Sequence, residues 1–463
     1  MFIGTRRGIA VIACGGLAVA GCAGHSEKPP VVSKATAIAP VATEVHGYVA
    51  KVWPDAGRIW PGVVLKDRRI ILGDGKDARL ITVEGIKNLS AADLIQHKVV
   101  IPQSGSLYTT WDGHPAIVIN AADPSYAEEA KSEHASLSEI LYGAATDELF
   151  HSWQQRGRPS TQMRGTEYPL AVTPRLYRAM LYDDVVVAYH DPNQRRQRLG
   201  NAAYWYGKWS KEYPDEAKRA VATDGAEGAS GYFDAISAAM AQGADRKNRA
   251  DIREHVAYQP LDQGGMDPRH LTVDGEAAPL GALAGLILDE EKKPWQKQMV
   301  QGGQTPVGLL LQGVPPTAEQ PSDELRQAIQ DALAKQNSDL IPRFNPLVRA
   351  YNDNGDKLLL IPLEAATGDL ETGGYYTTKN VPYAMLARLT GTFEFPSGRL
   401  QAKEASVLTG TIDGRQYVIV PLDTEHKRTR VSDNRIRLDT GPLVGAFKVK
   451  THRMHGRDGL VAQ

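Results

Sequence analysis

The chain has 463 residues, with 53 basic and 54 acidic side chains and a net charge of −1. No Lys/Arg block stands out, which excludes the electrostatic footprint of a nucleic-acid binder. Cys14 and Cys22 are the only cysteines. Two are too few for a disulfide framework, so stability must come from a hydrophobic core, which a chain of this length buries readily in two or three domains.

Arg6 and Arg7 precede an apolar run of 12 residues, Ile9 to Ala20. A membrane-crossing helix needs roughly 20 apolar residues, so this run suits the core of an export signal instead. It closes on Val19-Ala20-Gly21-Cys22. That ending resembles the lipobox of bacterial lipoproteins. The resemblance implies a signal peptide over 1–21, a fatty acid such as palmitate on Cys22, and attachment of the mature protein to a membrane facing the periplasm. Lipid chains rather than a helix would then do the anchoring. Ala23 stands where Asp would mark inner-membrane retention, which points to the outer membrane. An ordinary secretory signal is the alternative, and Arg6-Arg7 leaves general and twin-arginine export both open.

Residues 22–45 lack period and aromatics and read as a flexible tether. Residues 46–122 read as a β-rich subdomain. Its runs are Trp60–Leu65, Arg69–Leu72, Leu80–Val83 and Ala116–Asn120, with Gly73-Asp74-Gly75 as a turn. Residues 123–340 read as helical. Asp123-Pro124 is a start signal, and Ser136-Leu137-Ser138-Glu139 has capping-box spacing. Further helices are expected around 172–186, 202–220, 227–242, 276–291 and 321–335. Strands return over 341–463, where Lys357–Pro362 is one and Ser406–Thr411 and Gln416–Val420 flank the turn Asp413-Gly414. The fold class expected is α+β, a helical core between two β-rich pieces.

The chemistry-bearing segment runs from Ile140 to Gln154. Ile140, Ala144, Asp147 and His151 fall at offsets 0, 4, 7 and 11, one helical stripe that begins apolar and ends in a carboxylate and an imidazole. Glu148 lies beside them, in line with Leu141 and Ala145. Burying unpaired charge is costly, so these groups need partners, a metal or a cleft. The run Asp147-Glu148-Leu149-Phe150-His151 resembles the HExxH helix of zincin metallopeptidases, with Asp147 in place of the first histidine. The segment Glu227-Gly228-Ala229-Ser230-Gly231-Tyr232, 76 residues beyond His151, resembles the Glu-Gly-x-Ala-x-Tyr helix of gluzincin-like peptidases. This resemblance covers roughly residues 125–300. It implies a zincin-like core with Asp147, His151 and Glu227 as metal ligands, Glu148 as general base, and zinc as the candidate cofactor. Gly228 is expected to let two helices approach, and Tyr232 is a candidate oxyanion donor.

Bland readings stand beside these. Asp147, Glu148 and His151 also suit a solvated helix end, and Asp224…Glu227 has capping-box spacing. His134 and His190 read as surface histidines, and Tyr204-Trp205-Tyr206 as helix packing. No Gly-x-Ser-x-Gly elbow is present. The missing histidine leaves two functions open. One is a degenerate site, a pseudo-peptidase that binds a peptide or an envelope protein. The other is an active peptidase in which Asp147 ligates, and two oxygen donors let harder divalent ions compete with zinc.

Overall fold

The computed structural model describes residues 17–18, 38–102, 105–154, 165–256, 258, 274–300, 303–353, 357–422, 429–454 and 457–463. Cys22, with the cleavage point before it, lies outside the described residues. The fold is α+β, with about half of the chain helical and 27% in strands. Among the described residues no helix is long and apolar enough to cross a membrane.

The chain divides into two compact units. Among the described residues, 38–154 and 173–326 form the larger, and 17–18, 165–172 and 327–463 form the smaller. This division differs from the expected one. The N-terminal strands and the helices belong to one unit, and the second unit starts at 327 rather than 341.

The larger unit opens with helix α1 (Ile38–Val52). Val41, Ala42, Val45, Val49 and Val52 are buried along it, the 3–4 spacing of an amphipathic helix. The tether expected through residue 45 therefore gives way to helix at Ile38. A sheet follows, built from β1 (Arg69–Gly73), β2 (Ala78–Ile81), β3 (Ile86–Leu89), β4 (Ser106–Trp111) and β5 (His114–Asn120). Its order is β3-β2-β1-β5-β4, with β1 and β5 parallel and the other pairs antiparallel. Strand β4 thus lies at one edge. The run Trp60–Leu65 is not a strand. Pro61-Gly62 makes a turn in which Gly62 adopts φ 90° and the Val63 N–H donates to the Trp60 carbonyl, the bend that a Pro-Gly pair favours.

Helices fill the rest of this unit. They include α2 (Pro124–Glu133), α3 (Leu137–Gln154), α4 (Val172–His190), α5 (Arg195–Glu212), α6 (Pro214–Gln242), α7 (Ala277–Glu290) and α8 (Pro306–Leu311). The start signals act as their chemistry dictates. The Asp123 carboxylate accepts from the Ser125 N–H, with Pro124 in the first turn. The Glu139 carboxylate accepts from the Ser136 N–H, and the Ser136 hydroxyl accepts from the Glu139 N–H, a reciprocal capping box. The two helices expected at 202–220 and 227–242 are cut elsewhere. The break falls at Tyr213-Pro214, because proline has no N–H to continue α5. From there α6 runs unbroken to Gln242, and Gly243, at φ 119°, ends it.

Helix α9 (Asp323–Asn352) leads into the smaller unit and extends well past the expected end at 335. The strands are β6 (Lys357–Pro362), β7 (Ala366–Glu371), β8 (Gly374–Thr377), β9 (Ala384–Phe395), β10 (Gly398–Ile412), β11 (Arg415–Leu422), β12 (Thr429–Ser432), β13 (Arg435–Asp439), β14 (Leu443–Met454) and β15 (Arg457–Ala462). Strands β10, β11, β6, β15 and β14 pair in that order, and β14 pairs back onto β10, closing a ring. Its interior holds Leu359, Ile361, Leu386, Leu400, Val407, Val418 and Phe447. Asp413 and Gly414 carry φ 50° and 78° in the β10–β11 turn, as a two-residue hairpin of this kind requires. Leu17–Ala18 pair in parallel with Leu370–Glu371.

Candidate functional site

The site lies in the larger unit, where α3 meets α6. Phe150 of α3 stacks on Phe233 of α6, with ring centroids 4.6 Å apart, and Trp60 packs edge-on against Phe150 at 5.4 Å. These buried aromatics fix how the two helices lie, since such contacts add to the area that they bury. Helix α3 presents Asp147 and His151 one turn apart, and α6 presents Glu227 opposite them. The Nε2 atom of His151 is 3.6 Å from a carboxylate oxygen of Asp147 and 3.6 Å from one of Glu227. Three sequence-predicted residues thus converge on one nitrogen. His151 is buried at 1% exposure, while the Asp147 and Glu227 side chains keep 17% and 13%. The imidazole lies deepest, and the two carboxylates are partly buried beside it.

Glu148 lies close enough for its charge to raise His151 further. It is 2% exposed, on the deeper stripe with Leu141 and Ala145. The Tyr108 hydroxyl of β4 donates to its carboxylate at 2.8 Å, and also contacts the Glu148 carbonyl. Burial, then the Glu148 charge, push the Tyr108 phenol well above its usual range, so the hydroxyl keeps its proton and stays a donor.

The charges in the trio are coupled. Burial alone would lower His151, but Asp147 and Glu227 outweigh it and push the imidazole up to about 10. Asp147 is itself pushed up to about 7, first by burial and then by Asp234 and Glu227, against the opposing pull of His151 and Ser230. The two shifts differ in what they say of one pair. A raised imidazole means that the ion pair favours charge, and a raised carboxyl means that Asp147 resists it. Geometry reconciles them: one cation is shared by two carboxylates, with a third, Asp234, close by. The directions follow from that count, and the deeper His151 is the group that holds its charge.

A zinc site asks more of these residues. A ligating histidine normally donates its second nitrogen to an acceptor that fixes the ring. Neither ring nitrogen of His151 has a hydrogen-bond partner. Among the described residues no group of three His, Cys, Asp or Glu is placed to hold a metal ion. The three residues meet, but the His151 ring lacks the second acceptor that normally fixes a ligating histidine, and Asp147, shorter than the histidine it replaces, would have to reach further to a metal shared with His151.

Other expected residues lie elsewhere. Tyr232 is buried and donates to Asp289 at 2.6 Å, with Trp295 donating to the same carboxylate, so it is no oxyanion donor. Gly228 does permit a close approach, but to α7. A Cβ there would meet the Gly281 Cα at 3.0 Å, so the glycine serves the α6–α7 crossing and not the approach of α6 to α3. Asp224 is no helix cap. It lies inside α6, where Arg178 of α4 pairs with it at 2.9 Å. His190 accepts or donates at the Tyr258 carbonyl, 2.6 Å away. His134 ends α2 at φ 54°. Trp205 donates to Glu319 at 2.7 Å, a packing role as expected.

Tyr108 and Asp234 were not singled out in the sequence. Asp234 had a signal, since it follows Glu227 by seven residues on one helical face. Tyr108 had none beyond its place in a short strand. Against protein-family models, curated proteins and solved structures alike, the chain finds no match.

Proposed function

We propose that the protein is a lipid-anchored protein of the bacterial cell envelope whose larger unit is a peptide-binding pseudo-peptidase. In this reading α3 and α6 are the ligand helices of a zincin-like core whose metal site is degenerate. The observation that carries it is the approach of both Asp147 and Glu227 to within 3.6 Å of one buried nitrogen of His151, with a carboxylate where a zincin has its first histidine. The position of Glu148 supports the same reading. A general base must reach the attacking water, and this carboxylate is buried and engaged by Tyr108. Peptide binding is supported by β4, an edge strand whose Tyr108 borders the site. An unpaired strand edge offers backbone hydrogen bonds to an extended chain. Anchoring rests on Val19-Ala20-Gly21-Cys22.

The test of function uses the mature protein with fluorescein-labelled casein and added zinc or manganese. Binding without cleavage is expected. Metal-dependent cleavage that Glu148→Gln abolishes would establish an active peptidase instead. Anchoring is tested with labelled fatty acid: wild type should carry the label on the membrane fraction and Cys22→Ser should not. A soluble, unlabelled wild type would remove the lipoprotein reading.

A further inference from the structure

We infer that the outer face of strands β10, β12, β13 and β14 in the smaller unit docks on anionic phospholipid headgroups. That the anion is a membrane rests on the envelope reading above. That the face takes an anion rests on the strands themselves.

From Thr429 to Arg457 the chain has seven basic residues and two acidic ones, against a net charge of −1 for the whole. No basic block marks them, because they alternate with core positions. Ile436, Leu438, Phe447 and Val449 belong to the core beneath. Arg435, Arg437, Lys448 and Lys450 therefore point the other way, and all four are exposed. The strand register then gathers them. Arg437 stands directly opposite Arg430 on one side and Ala446 on the other, and Ala446 stands opposite Arg399. Two residues along the strand, Arg435 stands opposite Lys448.

Two like-charged pairs, Arg430 with Arg437 and Arg435 with Lys448, thus face each other across neighbouring strands. Such pairs weaken a sheet. Among the described residues none of these basic side chains makes an ion pair. The acids in the same rows are Glu394, opposite Arg399, and Asp439, opposite Val444. Six basic groups therefore share the face with two carboxylates.

A purely structural role does not account for this. Charged side chains on a sheet edge guard it against pairing with another chain. That explains Arg430, since β12 is the outermost strand. It does not explain Arg399, Arg435, Arg437, Lys448 or Lys450, whose strands are paired on both sides.

The apolar residues on the face favour a membrane over a soluble polyanion. Val444 is 43% exposed, and Ala446, on the same side of β14, is exposed too. Apolar groups among basic ones suit the boundary between headgroups and acyl chains. No aromatic stands in these rows to stack on a nucleic-acid base. Held at a bilayer by lipid, such a face meets headgroups at high effective concentration.

The experiment uses the chain from residue 22 onward with Cys22→Ser, which has no lipid of its own. It is co-sedimented with phosphatidylcholine vesicles that contain or lack phosphatidylglycerol. Sedimentation is expected only with phosphatidylglycerol, and it should fall as salt is added. Each basic group at an anionic surface adds about fivefold in affinity. Arg437→Gln and Lys448→Gln together should therefore weaken binding about 25-fold, whereas Arg437→Lys should keep it. The double variant should melt no lower than wild type, because each change relieves a like-charged pair. If it fails to fold, Arg430→Gln on the outermost strand carries the test at about fivefold. Equal sedimentation with both vesicles, or phosphatidylglycerol binding that the variants keep, would overturn the inference. So would binding to duplex DNA without binding to the vesicles. The envelope reading fails separately, if wild type carries no fatty-acid label.

Discussion

Helix α6 serves two ion clusters, and their difference separates structure from function. Toward α4 it contributes Glu216 and Asp224 to a buried network with Arg175, Arg178 and Glu276. Two guanidiniums there meet three carboxylates, Arg178 lies over the Trp209 ring at 4.6 Å, and Trp209 donates to Glu216 at 3.0 Å. Toward α3 the same helix contributes Glu227, and one imidazole serves two carboxylates at 3.6 Å. In the first cluster Arg178 reaches Asp224 at 2.9 Å and Glu276 at 3.1 Å. In the second each pair stands at 3.6 Å and one cation serves two carboxylates. Buried ion networks of the first kind tie elements together, and removing one member leaves an unpaired charge.

The largest effect expected from this contrast is on the first cluster. Arg178→Met should destabilise the protein by about 3–5 kcal/mol, because Asp224 and Glu276 lose a buried partner. Urea denaturation followed by circular dichroism measures it. A loss no greater than that of an exposed pair would mean that the network does not tie α4, α6 and α7.

Next in size is the link between the sheet and α3. Tyr108→Phe removes the donor to a buried carboxylate and should cost about 1–3 kcal/mol, measured in the same way. No change would place Glu148 in water, and would reopen its role as a base.

The smallest effect is a slope. Asp147 binds its proton more tightly in the folded state, with its pKa raised to about 7. Its contribution is therefore fully present below the unfolded value near 3.8 and is lost as pH rises through about 7. His151 is also raised, to about 10, so its contribution is full below about 6.5 and is lost as pH rises through about 10. Both groups make stability fall with rising pH. Between pH 4 and 7 the slope from Asp147 is at most about 1.4 kcal/mol per pH unit, the limit for one proton. Asp147→Asn should flatten that limb and also weaken the one above pH 7, because the Asp147 charge is the first that raises His151. An unchanged slope between pH 4 and 7 would mean that burial and the carboxylates Asp234 and Glu227 do not raise Asp147.

Much of this was legible in the sequence where a residue's local chemistry decides the outcome. The Ser136 capping box, the Asp413-Gly414 turn and the strand Lys357–Pro362 depend on near neighbours, and each formed where expected. The meeting of Asp147 and His151 with Glu227 was legible through a resemblance, since the residues are far apart in the chain. What the sequence hid depends on tertiary contact. The role of Gly228 turns on which helix crosses α6, and that is α7. The duties of Tyr232 and Asp224 turn on Asp289 and Arg178, partners that no spacing reveals. The helix from Ile38 carries its valines at helical spacing, but the polar, proline-bearing stretch before it masks where order begins. A body cut at residue 46 would sever α1, so solution work should begin at or before residue 38.

The central claim is that Asp147, His151 and Glu227 meet without making a metal site. Calorimetric titration of zinc into wild type and Asp147→His, with His151→Ala added to the latter as control, tests it most directly. Structural zinc sites are worth on the order of 10 kcal/mol or more, and a ligand that binds the folded state raises the melting temperature. Wild type is expected to show no zinc binding and no thermal shift, while Asp147→His gains both and loses them with His151→Ala. Tight, stoichiometric zinc binding by the wild type, lost in Glu227→Gln, would contradict the account.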